Sequence, residues 1–247
     1  MELMTYLKQH KKLAIAFSGG VDSVYLLYSA VQAGCDVHAY FIKSSFQPEF
    51  EMEDAKKVVA QLQVPFTIAH VDILENKVVA SNPNNRCYYC KQNVFSKIQQ
   101  LAKADGYEDI ADGTNASDNY DDRPGMKALQ EMGVLSPLRE CGLTKTEIRK
   151  RSKEAGLFTW KKPSYACLAT RVPTGMEITK DLLQKVERAE ATLFSMGFHD
   201  FRVRIVNDGA KLQLLEDELS MAIEKREELL QALKNDFSSV VLDLEVR

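Results

Sequence analysis

The stretch SGGVDS at residues 18–23 restricts the possible fold of this chain more than any other feature of its sequence. It follows the apolar run Leu13–Phe17, which is typical of a buried parallel strand. It precedes Val24–Ala33, which predicts a helix that ends at Gly34. A strand, a glycine turn and a helix in this order place an anion at a helix N-terminus. The stretch therefore predicts a phosphate-binding turn.

Each residue type in this turn suits contact with phosphate. Gly19 and Gly20 allow a tight turn that brings backbone N–H groups close to an anion. Ser18 and Ser23 add hydroxyl donors. Asp22 stands in the first helical turn, where a carboxylate caps N–H groups or helps to hold magnesium.

The turn differs from two common phosphate-binding motifs. No lysine follows Gly20, as the Walker P-loop requires, and the third glycine of a dinucleotide fingerprint is missing. The string instead resembles the PP-loop of the ATP pyrophosphatase family. That resemblance implies splitting of ATP into AMP and pyrophosphate to activate a carbonyl, carboxylate or base oxygen. The alternative is an ordinary strand-to-helix turn.

Strands and helices alternate after this turn. Asp36–Ile42 and Pro65–Val71 are predicted strands, Glu49–Leu62 is a predicted helix, and Asp109–Asp112 is a short predicted strand. Such alternation favours an α/β fold with a parallel sheet. Lys43 follows the second strand, at the sheet edge where ligands bind in open α/β folds, so we expect it to bind the nucleotide.

The pattern changes after residues 161–175, which have little periodicity and contain two prolines. Beyond them we expect helices at 179–196 and 217–235 and strands at 201–206, 211–215 and 238–246. The sequence thus predicts a PP-loop domain at residues 1–165 and a smaller α+β domain at residues 166–247.

Composition excludes several classes of protein. The chain has 247 residues, 45% of them hydrophobic, and a net charge of −3, which argues against broad binding of nucleic acid. Its start is amphipathic rather than a signal peptide, and it contains no apolar run of membrane-spanning length. We expect a cytoplasmic protein with no membrane partner.

Its five cysteines are then metal-binding, catalytic or buried rather than disulfide-bonded.

Two cysteine positions are candidates for chemistry. Cys87 and Cys90, predicted to lie in a tight loop before a helix at Gln92–Ala104, have the spacing of two ligands to one metal or cluster. A redox-active or inert pair is equally compatible with that spacing. Cys167 lies close to Arg171, which could stabilise an exposed thiolate. Three cysteines suit a four-iron four-sulfur cluster with one open iron.

Seven motifs in order resemble the LarE family of ATP-dependent sulfur transferases: SGGVDS, NRCYYCK, GTNASD, RPGMKAL, SPL, LTKTEIR and PSYACLATR. The resemblance covers most of residues 11–206. It implies a PP-loop domain followed by a smaller C-terminal domain. It also implies that a carboxylate of a pyridinium biscarboxylate mononucleotide is adenylylated and then converted to a thiocarboxylate. That reaction belongs to the synthesis of the nickel-pincer nucleotide of lactate racemase.

The resemblance also assigns roles to residues of the first domain. The pyrophosphate-binding loop matches Ser18, Gly19, Gly20, Asp22 and Ser23. Of these, Asp22 is also expected to be a catalytic residue. A second nucleotide-side loop matches Gly113, Thr114 and Asn115, and Arg123 matches a site for substrate or phosphate.

The cysteines distinguish two branches of the family. In one branch the residue matching Cys167 gives up its own sulfur. In the other, three cysteines hold a four-iron four-sulfur cluster, and a sulfide on the open iron is the donor. Because Cys87, Cys90 and Cys167 are all present, the resemblance implies the cluster branch, with Cys167 also catalytic.

In the C-terminal domain, Glu190 and Arg202 match an acidic residue and an arginine of a phosphate and metal site. Arg171 is assigned to nucleotide binding. Gln213 stands where the family has a second acidic residue, which puts a metal site there in doubt. The alternatives are a solvated helix face for Glu190 and exposed strand charges for Arg202 and Arg204.

The expected cofactors are ATP, magnesium and the four-iron four-sulfur cluster. We expect a small nucleotide substrate, a homo-oligomer and no nucleic-acid partner. Three alternatives remain open: a tRNA thiolase with a three-cysteine cluster, an amide-forming PP-loop ligase, and a non-catalytic nucleotide-binding protein. Release of pyrophosphate separates these readings. A nucleotide-binding protein releases none, a thiolase releases it only with tRNA, and the sulfur transferase releases it with the pyridinium nucleotide.

Overall fold

The structure is a computed structural model that describes residues 1–118 and 124–247. It divides into two compact units. The first comprises Met1–Ile73 and Asn85–Tyr165, and the second comprises Leu74–Asn84 and Ala166–Arg247. Residues 74–84, which the sequence analysis assigned to the first domain, therefore lie in the second unit.

The helices in chain order are α1 (Leu3–Leu7), α2 (Val21–Gln32), α3 (Glu49–Leu62), α4 (Lys77–Ala80), α5 (Arg86–Ala104), α6 (Pro124–Glu131), α7 (Pro137–Glu140), α8 (Lys145–Glu154), α9 (Lys180–Ser195), α10 (Leu219–Glu224) and α11 (Arg226–Leu233). The strands are β1 (Lys12–Ala16), β2 (Asp36–Lys43), β3 (Phe66–His70), β4 (Ile110–Ala111), β5 (Arg202–Val206), β6 (Gly209–Gln213) and β7 (Val240–Leu242). No helix in the described part of the chain has the length and apolar character needed to cross a membrane.

The first unit contains a four-stranded sheet in the order β3-β2-β1-β4. All of its pairings are parallel, with Ile15 opposite Ala39 and Ala111. The chain therefore leaves β1 toward one side for β2 and β3, and reaches the other side with β4. Ligands in open α/β sheets bind at such a reversal, beyond the carboxyl ends of the strands. The predicted α/β fold with a parallel sheet is confirmed.

Helices cover both faces of this sheet. Leu13 and Ile15 point into one core, which α2 and α3 help to form, and Ala14 and Tyr40 point into the other, which includes residues of α5. Burial on both faces explains why β1 and β2 are almost uninterrupted apolar runs in the sequence. This packing fixes the position of the turn after β1.

The second unit is a smaller α+β structure, as predicted. Strand β5 pairs antiparallel with β6, and β6 pairs parallel with β7. The helix predicted at 217–235 is wrong as one element, because Lys225 (φ −90°, ψ 14°) separates α10 from α11. The strand predicted at 238–246 is shorter, with only Val240–Leu242 in the sheet.

Asn82 joins residues 74–84 to the rest of the second unit. Its side-chain amide donates to the carbonyls of Pro173 (2.8 Å) and Val172 (3.3 Å). Its own carbonyl accepts from the N–H of Gly175 (2.9 Å). Asn82 is buried and adopts a left-handed backbone conformation (φ 54°). This segment leads directly into α5.

Candidate active site

The turn between β1 and α2 is held by its two serines. The hydroxyls of Ser18 and Ser23 lie 3.1 Å apart, and the Ser23 hydroxyl donates to the Gly20 carbonyl at 3.1 Å. The backbone N–H groups of Ser18 and Gly20 approach these same hydroxyls, at 3.3 and 3.4 Å. The loop is thus held together by hydroxyl groups at the N-terminus of α2, and phosphates bind at helix ends of this kind.

Two glycines are required by close approach. Gly19 has φ +72°, and a Cβ there would lie 3.1 Å from the Glu51 carbonyl oxygen. A Cβ on Gly113 would lie only 2.8 Å from the backbone nitrogen of Ser23. The loop after β4 therefore packs directly on the turn after β1, and only glycine allows this separation.

Asp22 provides the principal carboxylate of this turn. One of its oxygens, Oδ2, forms an ion pair with the Lys145 ammonium, and Oδ1 is buried with no hydrogen-bond partner among the described residues. Burial raises the pKa of Asp22, whereas the Lys145 charge acts to lower it. An unsatisfied buried carboxylate oxygen fits magnesium, which binds through one or two carboxylates together with substrate phosphates.

A cavity of about 290 Å³ opens beside this turn. It lies at the carboxyl ends of β1 and β4, where the strand order reverses. Its lining comprises Ala16, Phe17, Ser18, Asp22, Ser23, Tyr40, Phe41, Ile42, Gln47, Lys91, Val94, Phe95, Ile98, Asp112, Gly113, Thr114 and Asp118. Polar groups that converge on one side of a partly apolar cleft are typical of a ligand site.

Two lysines that sequence reasoning missed supply positive charge here. Lys91 lines the cavity, and its ammonium lies 3.8 Å from Asp112 Oδ2. Lys145 begins α8, whose N-cap is Thr144, and reaches Asp22. The signal for Lys91 was its place one residue after Cys90. The signal for Lys145 was the spacing of Thr144 and Glu147, which is typical of a capping box at a helix start.

The predicted second loop is only partly at the cavity. Gly113 and Thr114 line it, and the Thr114 hydroxyl donates to Asp112 Oδ2 at 2.6 Å. Asn115 is buried and instead supports the loop, since its Oδ1 accepts from the Ser117 N–H at 2.8 Å.

Lys43, another predicted nucleotide ligand, contacts the segment that follows β2. The Lys43 ammonium donates to the Gln47 carbonyl at 2.6 Å and pairs with Glu49 at 3.0 Å. It holds the segment from which Gln47 lines the cavity, so its role as a nucleotide ligand stays a prediction. Arg123 lies outside the described residues.

The expectation of a tight loop for Cys87 and Cys90 is wrong. Helix α5 begins at Arg86, so both cysteines lie in its first two turns, three residues apart and on the same side. Cys87 is exposed and Cys90 half-buried, and the Arg86 guanidinium lies 3.8 Å from Cys87 Sγ. Thiols in this arrangement fit two ligands of a metal or cluster.

A complete ligand set is not assembled within the described residues. Cys87 and Cys90 belong to the first unit, and Cys167 belongs to the second. Across residues 1–118 and 124–247, no group of three or more His, Cys, Asp and Glu side chains is placed to hold a metal ion. The three-cysteine cluster therefore stays a prediction.

In the second unit, Arg171 and Glu190 form a buried ion pair. Their side chains are 0% and 2% exposed, and Arg171 Nε lies 2.8 Å from Glu190 Oε1. The alternative of a solvated helix face for Glu190 is therefore excluded. Arg171 Nη1 donates to the carbonyls of Ala166 (2.8 Å) and Cys167 (3.3 Å), so this arginine contacts the backbone of the Cys167 segment.

The neighbouring strand arginines are not simple surface charges. Arg202 is buried and donates from Nη1 to the Phe201 carbonyl at 2.6 Å. Arg204 donates from Nε to Gln213 Oε1 at 3.0 Å. The residue that departs from the family pattern, Gln213, therefore orients an arginine here.

The comparisons with known proteins agree with this geometry. The family model QueC, described as queuosine biosynthesis protein QueC, matches residues 12–175. A Synechocystis protein of unspecified function is 37% identical over 94% of this chain and 88% of its own length. The pyridinium-3,5-bisthiocarboxylic acid mononucleotide synthase of Lactiplantibacillus plantarum is 31% identical over 98% of this chain and 89% of its own length.

A tRNA-specific 2-thiouridylase from Fervidobacterium nodosum is more distant, at 27% identity over 41% of this chain and 36% of its own length. The QueC match spans the turn after β1, the second loop and the cysteines. The Lactiplantibacillus relative extends the similarity through the second unit. The chain therefore belongs to the PP-loop family that this model describes and, within it, to the LarE family of ATP-dependent sulfur transferases.

Proposed function

We propose that this protein adenylylates a carboxylate of a pyridinium biscarboxylate mononucleotide and converts it to a thiocarboxylate. In the first step the carboxylate oxygen attacks the α-phosphorus of ATP, which forms an acyl adenylate and releases pyrophosphate. In the second step a sulfide sulfur attacks the acyl carbon, and the carbon–oxygen bond to AMP breaks. The product serves the synthesis of a nickel-pincer nucleotide.

The observation that carries this proposal is the cavity where β1 and β4 end. The serine-organised turn, the Gly113 loop and Lys91 line it, and the Lys145 ammonium pairs with Asp22 beside it. Preorganised N–H groups and cations stabilise the charge that develops on departing pyrophosphate. The similarity to a named mononucleotide synthase over nearly the whole chain supports the choice of substrate.

We assign roles to the cavity residues accordingly. Ser18, Gly19, Gly20 and Ser23 bind the pyrophosphate portion, and Thr114 orients the second loop through Asp112. Asp22 would help to hold magnesium, which would neutralise charge on the departing pyrophosphate, and the Lys145 ammonium keeps Asp22 in place. A substrate carboxylate is ionised near neutral pH, so no general base is required.

We assign the sulfur step to the three cysteines. A cluster held by Cys87, Cys90 and Cys167 would supply a deprotonated sulfide on an open iron. Cys87 and Cys90 suit this role because they lie on one side of the N-terminal end of α5. Arg123 contacts the substrate or its phosphate, and Arg202 contributes to a phosphate site of the second unit.

The active form is a homo-oligomer, for which sedimentation velocity is the test.

Pyrophosphate release with different second substrates tests the proposed reaction. Purified protein receives ATP and magnesium with the pyridinium biscarboxylate mononucleotide, with unmodified tRNA, with ammonia and a carboxylic acid, or with no addition. We expect release with the mononucleotide alone, and in the presence of a sulfur source a product that is heavier by the exchange of one oxygen for one sulfur. Release with tRNA alone would replace the proposal with a tRNA thiolase, and no release would indicate a nucleotide-binding protein.

Anaerobic reconstitution with iron and sulfide tests the sulfur source. We expect about four irons per chain, lost when Cys87, Cys90 or Cys167 is changed to Ala. The matched control is Cys35→Ala, because Cys35 donates to the Leu7 carbonyl beside the apolar core and should not affect iron content. Absence of iron, with Cys167 lighter by one sulfur after turnover, would instead support the sacrificial mechanism.

A further inference from the structure

The segment that carries Cys167 is fixed by three hydrogen bonds to the Cys167 carbonyl. The Cys167 carbonyl oxygen accepts from the Thr170 N–H (3.0 Å), the Thr170 hydroxyl (2.9 Å) and Arg171 Nη1 (3.3 Å). Arg171 Nη1 also donates to the Ala166 carbonyl and to the Thr170 hydroxyl, each at 2.8 Å. A single guanidinium thus connects three residues around the sulfur-bearing position.

Glu190 fixes that guanidinium from the opposite side. Its Oε1 lies 2.8 Å from Arg171 Nε, and its Oε2 lies 3.0 Å from Nη2, which is a bidentate pair. Glu190 Oε1 also accepts from the Val203 N–H at 3.0 Å. The carboxylate therefore links α9, strand β5 and the Cys167 segment. Bidentate arginine–carboxylate pairs supply geometric precision as well as energy.

The same arrangement disfavours a metal ion at Glu190. Both carboxylate oxygens face the positively charged fork of Arg171, so a cation bound there would be repelled at short range. Burial and the Arg171 charge also lower the pKa of Arg247, which indicates a further guanidinium in the neighbourhood. Where the family has a second acidic residue, Gln213 instead accepts from Arg204.

We propose that Glu190 is a positioning residue, which acts through Arg171 to fix the backbone of Cys167, and is not a metal ligand. The importance of Cys167 for sulfur transfer rests on the proposed function, whereas the positional claim rests on the contacts alone. Because the sulfur must reach the acyl carbon at near-attack distance, a displaced Cys167 segment would slow the sulfur step, and a displacement of 1 Å can lower a rate about 10²-fold.

Site-resolved alkylation measures the position of Cys167 without any turnover. Folded wild-type protein and Glu190→Gln are treated with iodoacetamide, and each cysteine peptide is quantified by mass spectrometry over time. We expect Cys167 to react several-fold faster in the variant, because its half-buried segment is released, and Cys141 to react at an unchanged rate. The matched control is Glu227→Gln, the same change at a side chain 77% exposed on α11, which should leave both rates unaltered.

A double variant covers the case in which Glu190→Gln does not fold. Removal of one partner of a buried ion pair leaves an uncompensated charge, whereas replacement of both by apolar residues is often neutral. Arg171→Met combined with Glu190→Leu therefore keeps the packing and deletes the guanidinium. A Cys167 alkylation rate equal to that of the wild type in a folded double variant would overturn the proposal.

Manganese binding and steady-state kinetics complete the test. The free Mn²⁺ signal in electron paramagnetic resonance should be the same with wild type and Glu190→Gln, and loss of bound Mn²⁺ only in the variant would establish a metal ligand and overturn the proposal.

In the sulfur-transfer assay kcat should fall while the KM for ATP stays within about twofold, because the nucleotide cavity lies in the first unit. If no sulfur transfer is detected in the wild type, the alkylation result still decides the positioning role, so the two proposals fail separately.

Discussion

At the scale of single residues, the chain places its chemistry by close contact between two loops. Gly113 leaves no room for a side chain above Ser23, and this contact brings Thr114 and Asp112 to the same cavity as Asp22. Lys91 reaches the cavity from a helix that begins far from the turn in sequence. The positions of these few atoms determine whether ATP phosphates meet N–H groups and cations together.

Substitution of Gly113 by Ala should separate these loops. The added methyl group would lie 2.8 Å from the Ser23 nitrogen, so the backbone must shift, and we expect a loss of about 1–3 kcal/mol in unfolding free energy with weakened ATP binding. Urea unfolding and a nucleotide-binding titration measure both effects. Gly20→Ala provides the steric contrast, because its methyl would meet only the Ser18 hydroxyl, at 3.4 Å. Equal destabilisation by the two substitutions would show that the contact with Ser23 is not limiting.

Lys91→Met should weaken the interaction with ATP phosphates while the fold is retained. A charge-assisted hydrogen bond contributes about 1.5–3 kcal/mol, so we expect kcat/KM for pyrophosphate release to fall roughly 10- to 100-fold. The matched control is Lys103→Met, an exposed lysine near the end of the same helix. If both variants keep full activity, the ammonium of Lys91 has no role at the cavity.

At the scale of elements, strand β2 carries a histidine whose environment favours its neutral form. His38 stacks on Tyr40 with ring centroids 4.4 Å apart, and its Nε2 lies 2.8 Å from the Thr67 hydroxyl. Burial lowers the pKa of His38 below its ordinary value, and the carboxylates of Asp105 and Asp36 only partly oppose this. The strand therefore contains a group that resists protonation in the folded state.

The unfolding free energy of the protein should consequently decrease as the pH is lowered below neutrality. Because the folded-state pKa lies below the unfolded value of about 6.5, the unfolded chain takes up the proton first. The contribution of His38 is then complete above that pH and is lost progressively below it. Urea unfolding between about pH 7.5 and 5 should show a smaller slope in His38→Gln than in wild type. His199→Gln, at a side chain 83% exposed, is the control, and an unchanged slope in His38→Gln would contradict the assignment.

Most elements of the first unit were predictable, because their signals are local. Helix α3 has the predicted bounds, with Pro48 before it and Gln63 in a left-handed conformation after it. The start of α5 was not predictable, since Asn85 makes no side-chain cap and the turn-forming residues before it gave no sign of a helix at Arg86. The cysteine pair was therefore found by its spacing, while its geometry was missed.

The site itself was predictable only where a motif is continuous in sequence. The turn at residues 18–23 was predicted from its motif, and Ser18, Asp22 and Ser23 line the cavity. Lys91 and Lys145 were not predicted, because their relevance depends on which helices approach the cavity. The burial of Glu190 could not be foreseen either, since a glutamate on a helix is usually solvated and its partner, Arg171, lies on another element. Tertiary contacts decided each of these cases.

At the scale of the whole molecule, Asn82 connects two parts of the second unit that are distant in sequence. Its side chain donates to the carbonyls of Val172 and Pro173, and its left-handed backbone would be strained in most residues. The integrity of the second unit therefore depends on a residue that precedes α5 in the chain.

Two substitutions at Asn82 separate the backbone requirement from the side-chain contacts. Asn82→Gly keeps the left-handed conformation and removes the donors, so we expect a loss of about 1–3 kcal/mol in unfolding free energy. Asn82→Asp should be more destabilising, because a carboxylate would face two carbonyl oxygens. Urea unfolding should rank wild type above Gly and Gly above Asp. Asn207→Gly, at an exposed turn residue with φ 55°, is the matched control and should have little effect; the reverse ranking at position 82 would exclude the proposed contacts.

The assignment of residues 74–84 to the second unit also has a consequence for the protein during its synthesis. This segment leaves the ribosome long before Ala166–Arg247, which contains its hydrogen-bond partners. At typical rates of translation the delay lasts seconds to tens of seconds. Throughout that time Asn82, which is buried in the finished protein, lacks the backbone groups of Val172, Pro173 and Gly175 that it contacts there. We therefore expect the nascent chain to be a target for chaperones until translation is nearly complete, and a product truncated at residue 165 to aggregate.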